Sequence, residues 1–139
     1  MATFNKFNAF VENLAEKVFH IGSDTLKVML TNAAPSASNS VKADLTEISA
    51  GNGYTSGGTA ATISSSAQTS GTYKLVLADV VFTAAGGSIG PFRYAVLYDD
   101  TAASDQLIGH WDYGSSITIS SGETFTVDFN ASTGIMTLA

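Results

Sequence analysis

Phe92-Arg93-Tyr94-Ala95-Val96-Leu97-Tyr98 is the densest aromatic and aliphatic run in the chain, opened by Pro91 and closed by Asp99-Asp100. A strand with one wet face alternates apolar and polar residues. This run hardly alternates. Phe92, Tyr94, Val96 and Tyr98 fall on one face, and Arg93, Ala95 and Leu97 on the other. It reads as a central strand covered on both faces, with Arg93 near one end where its head reaches water or a carboxylate.

The segments on either side read as further strands. Leu107-Ile108-Gly109-His110-Trp111-Asp112-Tyr113-Gly114 pairs with the central run across the hairpin loop 99–106. Tyr73 to Phe82 reads as one long strand, with Val76, Ala78, Val80 and Phe82 on one face and Leu75, Leu77 and Val81 on the other. Asp79 within it needs a partner or a wet position; Arg93 is the candidate partner, and solvent exposure is the alternative. Residues 25–31 alternate, with Leu26, Val28 and Leu30 inward and Lys27, Met29 and Thr31 outward. Residues 59–64, Ile117–Ile119, Thr124–Phe129 and Ile135–Leu138 complete the set, and residues 64–71 read as a polar turn. Residues 32–45 form a long surface loop, with one helical turn expected over 44–48.

Ahead of the strands, Phe4, Phe7, Val11, Leu14 and Val18 recur at spacings of three and four, and Phe10 widens the stripe. This predicts an amphipathic helix of about three turns, ending by Gly22. The helix either packs on its own sheet or serves as an arm that docks on a partner. One helix and about eight short strands at regular turn spacings predict a mainly β protein. The expected fold is a jelly-roll-like or Greek-key β-sandwich within a single domain, with a helical arm over 1–22 and the sandwich over 23–139.

Composition narrows the function. A chain of 139 residues can bury roughly two-thirds of its unfolded surface without a staple. The absence of cysteine removes thiolate chemistry and disulfides. A net charge of -6 argues against nucleic-acid binding, which needs a basic footprint. Charged residues make up 13%, against about 25% in ordinary domains, and Ser, Thr, Ala and Gly fill the difference. No signal peptide or membrane span is read, so a cytoplasmic site of synthesis and no membrane partner are expected.

Motifs for chemistry are weak. Gly51-Asn52-Gly53-Tyr54-Thr55-Ser56-Gly57-Gly58 leads into a strand, not a helix, so it lacks the N-terminal amides of a phosphate loop. It reads as a turn with left-handed positions, in which Tyr54 anchors to the sheet or faces a neighbour. Asp99, Asp100 and Asp105 do not match a calcium loop. His110 has no serine elbow to serve. No enzyme activity, metal or cofactor is expected. Trp111 and Tyr113 share one strand face and suit a sugar ring, a core or an interface.

The segments 26–32, 51–54, 92–98, 107–114 and 123–129 resemble small virion proteins of tailed bacteriophages, some of which are head decoration (cement) proteins. The resemblance covers most of the chain without a diagnostic motif. It implies a non-catalytic homo-oligomer, dimer or trimer, assembled in the host cytoplasm and bound to the major capsid protein on the outer shell. Candidate partner-binding residues are Phe4, Phe7, Phe10, Val11, Leu14, Tyr54, Trp111 and Tyr113, together with the loop 32–44. Alternatives are a tail or head-completion component, or a carbohydrate-binding sandwich using Trp111 and Tyr113.

Overall fold

The computed structural model describes residues 2–139. The protein is a mainly β sandwich, with ten strands and one α-helix among the described residues. The elements are β1 (Asn5–Lys6), α1 (Asn8–Ala15), β2 (Leu26–Thr31), β3 (Thr59–Ala61), β4 (Ile63–Thr69), β5 (Thr72–Leu77), β6 (Val80–Thr83), β7 (Ile89–Asp99), β8 (Leu107–Ile119), β9 (Thr124–Val127) and β10 (Met136–Leu138). The larger sheet has the order β1-β8-β7-β2-β3. A three-stranded sheet, β10-β5-β4, and a two-stranded sheet, β6-β9, complete the strand pairing. The main core draws on all three, with Leu30, Leu97 and Ile108 from the larger sheet, Leu75 and Leu77 from the second, and Phe82 and Val127 from the third.

The run at 92–98 lies in the central strand, β7, flanked by β8 and β2. Its faces are not those of simple alternation. Phe92 joins Ala95 and Leu97 in the main core, while Val96 and Tyr98 join Phe7, Met29 and Leu107 in a second cluster on the opposite face. Register shifts on both sides of Phe92 turn it over, as bulges do. The same second cluster explains β2. Met29 and Thr31, expected outside, are buried because this face is also covered.

The cover comes from the N-terminus and the long loop. Phe7 and Leu45 pack onto the second cluster. The loop is tied down by Asn8 N–H to Ala37 O (2.9 Å), Leu107 N–H to Ser40 O (2.9 Å) and Lys42 N–H to Asp105 O (2.9 Å). Its helical turn is a 3-10 turn at Lys42–Asp44, earlier than expected. Tyr54 is an anchor. Its hydroxyl accepts the Leu30 N–H (3.0 Å) and donates to Glu47 Oε1 (2.7 Å), which also accepts the Gly57 N–H at 2.6 Å. Tyr98 donates to Gly57 O at 2.7 Å. Burial is the first cause that raises both tyrosine pKa values. Gly58 has φ +77°, and a Cβ there would collide with the Val28 carbonyl.

Three other expectations change. The stretch 73–82 is two strands: the chain leaves one sheet at Leu77 and enters another at Val80. The interruption shifts the phase, so Leu75, Leu77, Val80 and Phe82 all point into the core and Val81 is exposed. Asp79, at the break, is exposed, as its alternative reading has it; it accepts the Phe129 N–H (2.8 Å) and does not pair with Arg93. Residues 64–71, read as a turn, contain most of β4, whose side chains are exposed beyond Ile63.

The N-terminal stripe is not one helix. Phe4 precedes β1, and Asn5 and Lys6 pair with His110 and Gly109 of β8. The helix runs only from Asn8 to Ala15, and Lys17 then takes a left-handed φ of 64°. Phe7 and Phe10 are buried in the domain's own core, Leu14 packs against it, and Val11 is 51% exposed. As a docking arm, residues 1–22 would have to withdraw both phenylalanines from that core. Phe7→Ala or Phe10→Ala should therefore destabilise the domain by about 3–5 kcal/mol, measured by urea unfolding. Unchanged midpoints would restore the free-arm reading.

Candidate functional site

The alternation of β8 places Trp111 and Tyr113 on one face and His110 and Asp112 on the other. Trp111 and Tyr113 face β9 and the segment after it, with ring centroids 5.3 Å from Phe129 and 5.6 Å from Phe125 respectively. Together with Ala2, Arg93, Ala95, Phe125 and Val127 they line an open cleft of about 390 Å³, with Thr126 and Asp128 beside it. Phe125 also packs edge-on to Phe92 at 4.9 Å. Tyr113 is 56% exposed, an unusual state for a large ring beside an apolar wall.

Phe4 closes one side by packing on Trp111 at 5.2 Å. It can do so because position 109 is glycine, where a Cβ would collide with the Phe4 ring. Thus the pairing of β1 with β8 and a missing side chain together set the Trp111 environment.

The charged group of the cleft is fixed. Arg93 donates from Nε to Asp112 Oδ1 (2.7 Å) and from one terminal nitrogen to Oδ2 (2.9 Å), a two-pronged geometry that orients both planes. The Gly114 N–H also reaches Asp112 Oδ1 at 2.8 Å. These bonds, Arg93 first, hold the Asp112 carboxyl below its ordinary range, and Asp112 in turn raises the Arg93 pKa. On the same face of β8 as Asp112, burial lowers the His110 pKa against the opposing pull of Asp112. Its Nδ1 is enclosed without a hydrogen-bond partner, and its ring lies 5.2 Å from Phe7. No serine hydroxyl is hydrogen-bonded to His110, and among the described residues no group of three or more His, Cys, Asp or Glu could hold a metal.

Of the eight residues singled out from the sequence, the structure brings together Phe4, Trp111 and Tyr113. Phe7, Phe10 and Tyr54 are interior, so they offer no contact surface in this conformation. Leu14 is half-buried, and Val11 is exposed on the helix. Sequence reading missed Phe125, Ala95 and Arg93 as cleft residues, and the bond from Arg93 to Asp112. Phe125 was legible as inward-facing, but the opening between β8 and β9 was not.

No protein-family model, curated protein or solved structure matches the chain. No helix among the described residues is long and apolar enough to cross a membrane.

Trp111 is the single tryptophan and reports on this site directly. Phe4→Ala should red-shift its emission and increase quenching by acrylamide, while leaving the unfolding transition cooperative. Asp112 is stabilised as an anion in the folded state, so its contribution is full above the ordinary carboxylate pKa and lost as pH falls below about 4. Arg93→Gln should move the Asp112 titration upward toward the ordinary value, seen in carboxyl carbon NMR.

Proposed function

We propose that the protein is a non-catalytic structural component of a tailed-bacteriophage virion, a decoration protein that binds the major capsid protein on the outer shell. The observation that carries a binding role is the open cleft at Trp111, Tyr113 and Phe125. It offers half-exposed aromatic rings beside an oriented Arg93–Asp112 pair on a rigid sheet. Buried aromatic and arginine side chains are the usual energetic anchors of protein interfaces. The surface supports the same reading. Residues 64–69 of the edge strand β4 are exposed and carry no charge. Sheet edges are normally guarded by charge, proline or cover. A second or third copy, or a neighbouring shell subunit, would supply that cover, consistent with a homo-oligomeric dimer or trimer on the virion.

Shell stabilisation would then be mechanical. A protein that binds only the closed shell adds its binding free energy to that state. Repeated sites let modest contacts suffice. The contact surface proposed is the Trp111 cleft with Phe4, the exposed Val11 and the tethered 32–44 loop, in place of the buried phenylalanines. Deletion of residues 1–18 cannot isolate binding, since it removes core.

A carbohydrate-binding role is the second reading, favoured by the same pair of rings, which could stack on a sugar with Asp128 and Asp112 nearby. A tail or head-completion position is a variant of the first. Co-sedimentation with empty shells separates them. The wild type should pellet at a fixed ratio to the major capsid protein, and Tyr113→Ala should weaken binding about tenfold or more. A protein that stays in the supernatant yet binds a glycan, and loses it in Trp111→Ala, would replace the decoration reading with the sugar one.

A further inference from the structure

The β7–β8 hairpin loop and the turn before β2 meet at two carboxyl groups that do not line the cleft. Asp99 ends β7 and is completely buried. Its Oδ1 accepts the N–H groups of Thr101 (2.8 Å) and Ala102 (3.1 Å). Its Oδ2 is enclosed and has no donor. The half-buried carboxyl of Asp24 is its neighbour, brought to the loop by the bonds of Thr25 N–H to Thr101 Oγ1 (2.8 Å) and Asp100 N–H to Thr25 O (2.9 Å). Asp24 Oδ2 accepts the His20 N–H at 2.6 Å.

Two adjacent carboxyl groups in a dry site do not both ionise readily. A proton or a cation must hold them together. A hard cation takes six to eight oxygen ligands. Here the groups aimed at the pair are three backbone N–H donors, which favour negative charge and repel a cation. Among the described residues no third His, Cys, Asp or Glu completes a metal group. We infer that Asp24 and Asp99 share one proton, forming an acid-tightened clasp that joins the 20–25 turn to the 99–106 loop and loosens when the proton leaves.

The surrounding charges leave that proton the main variable. Lys27 is engaged with the exposed Asp100 at 2.9 Å. Asp105 is half-buried in the same loop, and the His20 side chain is exposed. Two neutral bonds run alongside the clasp: Thr25 N–H to Thr101 Oγ1 (2.8 Å) and Asp100 N–H to Thr25 O (2.9 Å). They keep the segments adjacent when the pair is ionised, so the clasp modulates the junction without being its sole link.

Burial first, and the neighbouring Asp24 next, push the Asp99 carboxyl up to about 6. The unfolded value is about 3.9. The folded state therefore binds more protons between these values. Stability from the clasp is full below about pH 4 and is lost as pH rises through about 6.

Asp99→Asn tests this. The amide keeps an oxygen for Thr101 and Ala102 and places permanent N–H donors toward Asp24, mimicking the protonated state. In buffer containing EDTA at pH 7.5 the variant should melt about 3 °C or more above wild type, and the difference should shrink as pH falls through about 6 and vanish below about pH 4. In the wild-type protein, carboxyl carbon NMR should show Asp99 titrating near 6. A lower melting temperature for Asp99→Asn at pH 7.5, or an Asp99 that titrates below 4, would overturn the clasp. So would calcium chloride raising the wild-type melting temperature but not that of the variant, which would assign the site to a cation. If Asp99→Asn fails to fold, the wild-type titration and Asp24→Asn decide the matter by the same criteria.

Discussion

The rest of the structure depends on β7 being buried on both faces. A strand in that position must satisfy its backbone through neighbours on both edges and find apolar cover above and below. β8 and β2 supply the edges. The second-layer strands cover one face. The other is covered by parts that a sandwich need not contain: Phe7 at the N-terminus, and Leu45 in the loop after β2. This requirement orders the long 32–58 segment and draws the N-terminus into the fold. Full burial of a Phe, Leu or Met side chain contributes roughly 1.5–3 kcal/mol, enough to hold segments with little regular structure.

Covering a sheet with loop brings polar backbone against an apolar face, and that backbone must be paired. Glu47 solves this locally. Its Oε1 takes the Tyr54 hydroxyl and the Gly57 N–H, while Lys42 stands 3.7 Å from its other oxygen and 5.4 Å from the centre of the Tyr98 ring. The two tyrosines thus join loop to sheet through their hydroxyls and present their rings to apolar neighbours. Gly58 is needed because the chain there runs against the backbone of β2, and Gly57, at φ +90°, sits against the Tyr98 hydroxyl. The loop read from its composition as a long surface loop is tied to the sheet it covers.

The sheet elements with strong patterns were legible, and the central position of β7 followed from its lack of alternation. What was hidden lies where alternation breaks. Register shifts beside Phe92 turn that residue to the opposite face, and two residues at Ala78-Asp79 carry the chain between sheets while reversing the phase of Val80 and Phe82. Periodicity cannot show a break whose flanks are apolar on both sides. β4 was hidden for the opposite reason: its serines face solvent, so it has no apolar signal at all. The helical stripe misled because Phe4, Phe7 and Phe10 are each buried or half-buried, but on the lead-in to a strand, a cap and a helix in turn. For the site, Trp111 and Tyr113 were visible as a same-face pair. Their partner Phe125 and the Arg93–Asp112 bond required the packing of layers.

The β7–β8 hairpin also sorts ionisable groups by hydration along its length. At the loop end, Asp99 is enclosed, and burial is the first cause that raises its pKa. Midway, His110 opposite Val96 is enclosed, and burial lowers its pKa. The two shifts have opposite signs and one meaning, since each moves the group toward its neutral form in a dry region. Farther along, where the register loosens beyond Tyr94, Arg93 and Asp112 are 38% and 37% exposed and remain a charged, two-pronged pair. Water access at that end allows a charge pair to persist beside Trp111 and Tyr113, and the same opening leaves the aromatic cleft uncovered. The cleft and the ion pair are therefore consequences of one feature, the point where the central hairpin emerges from between its two covers.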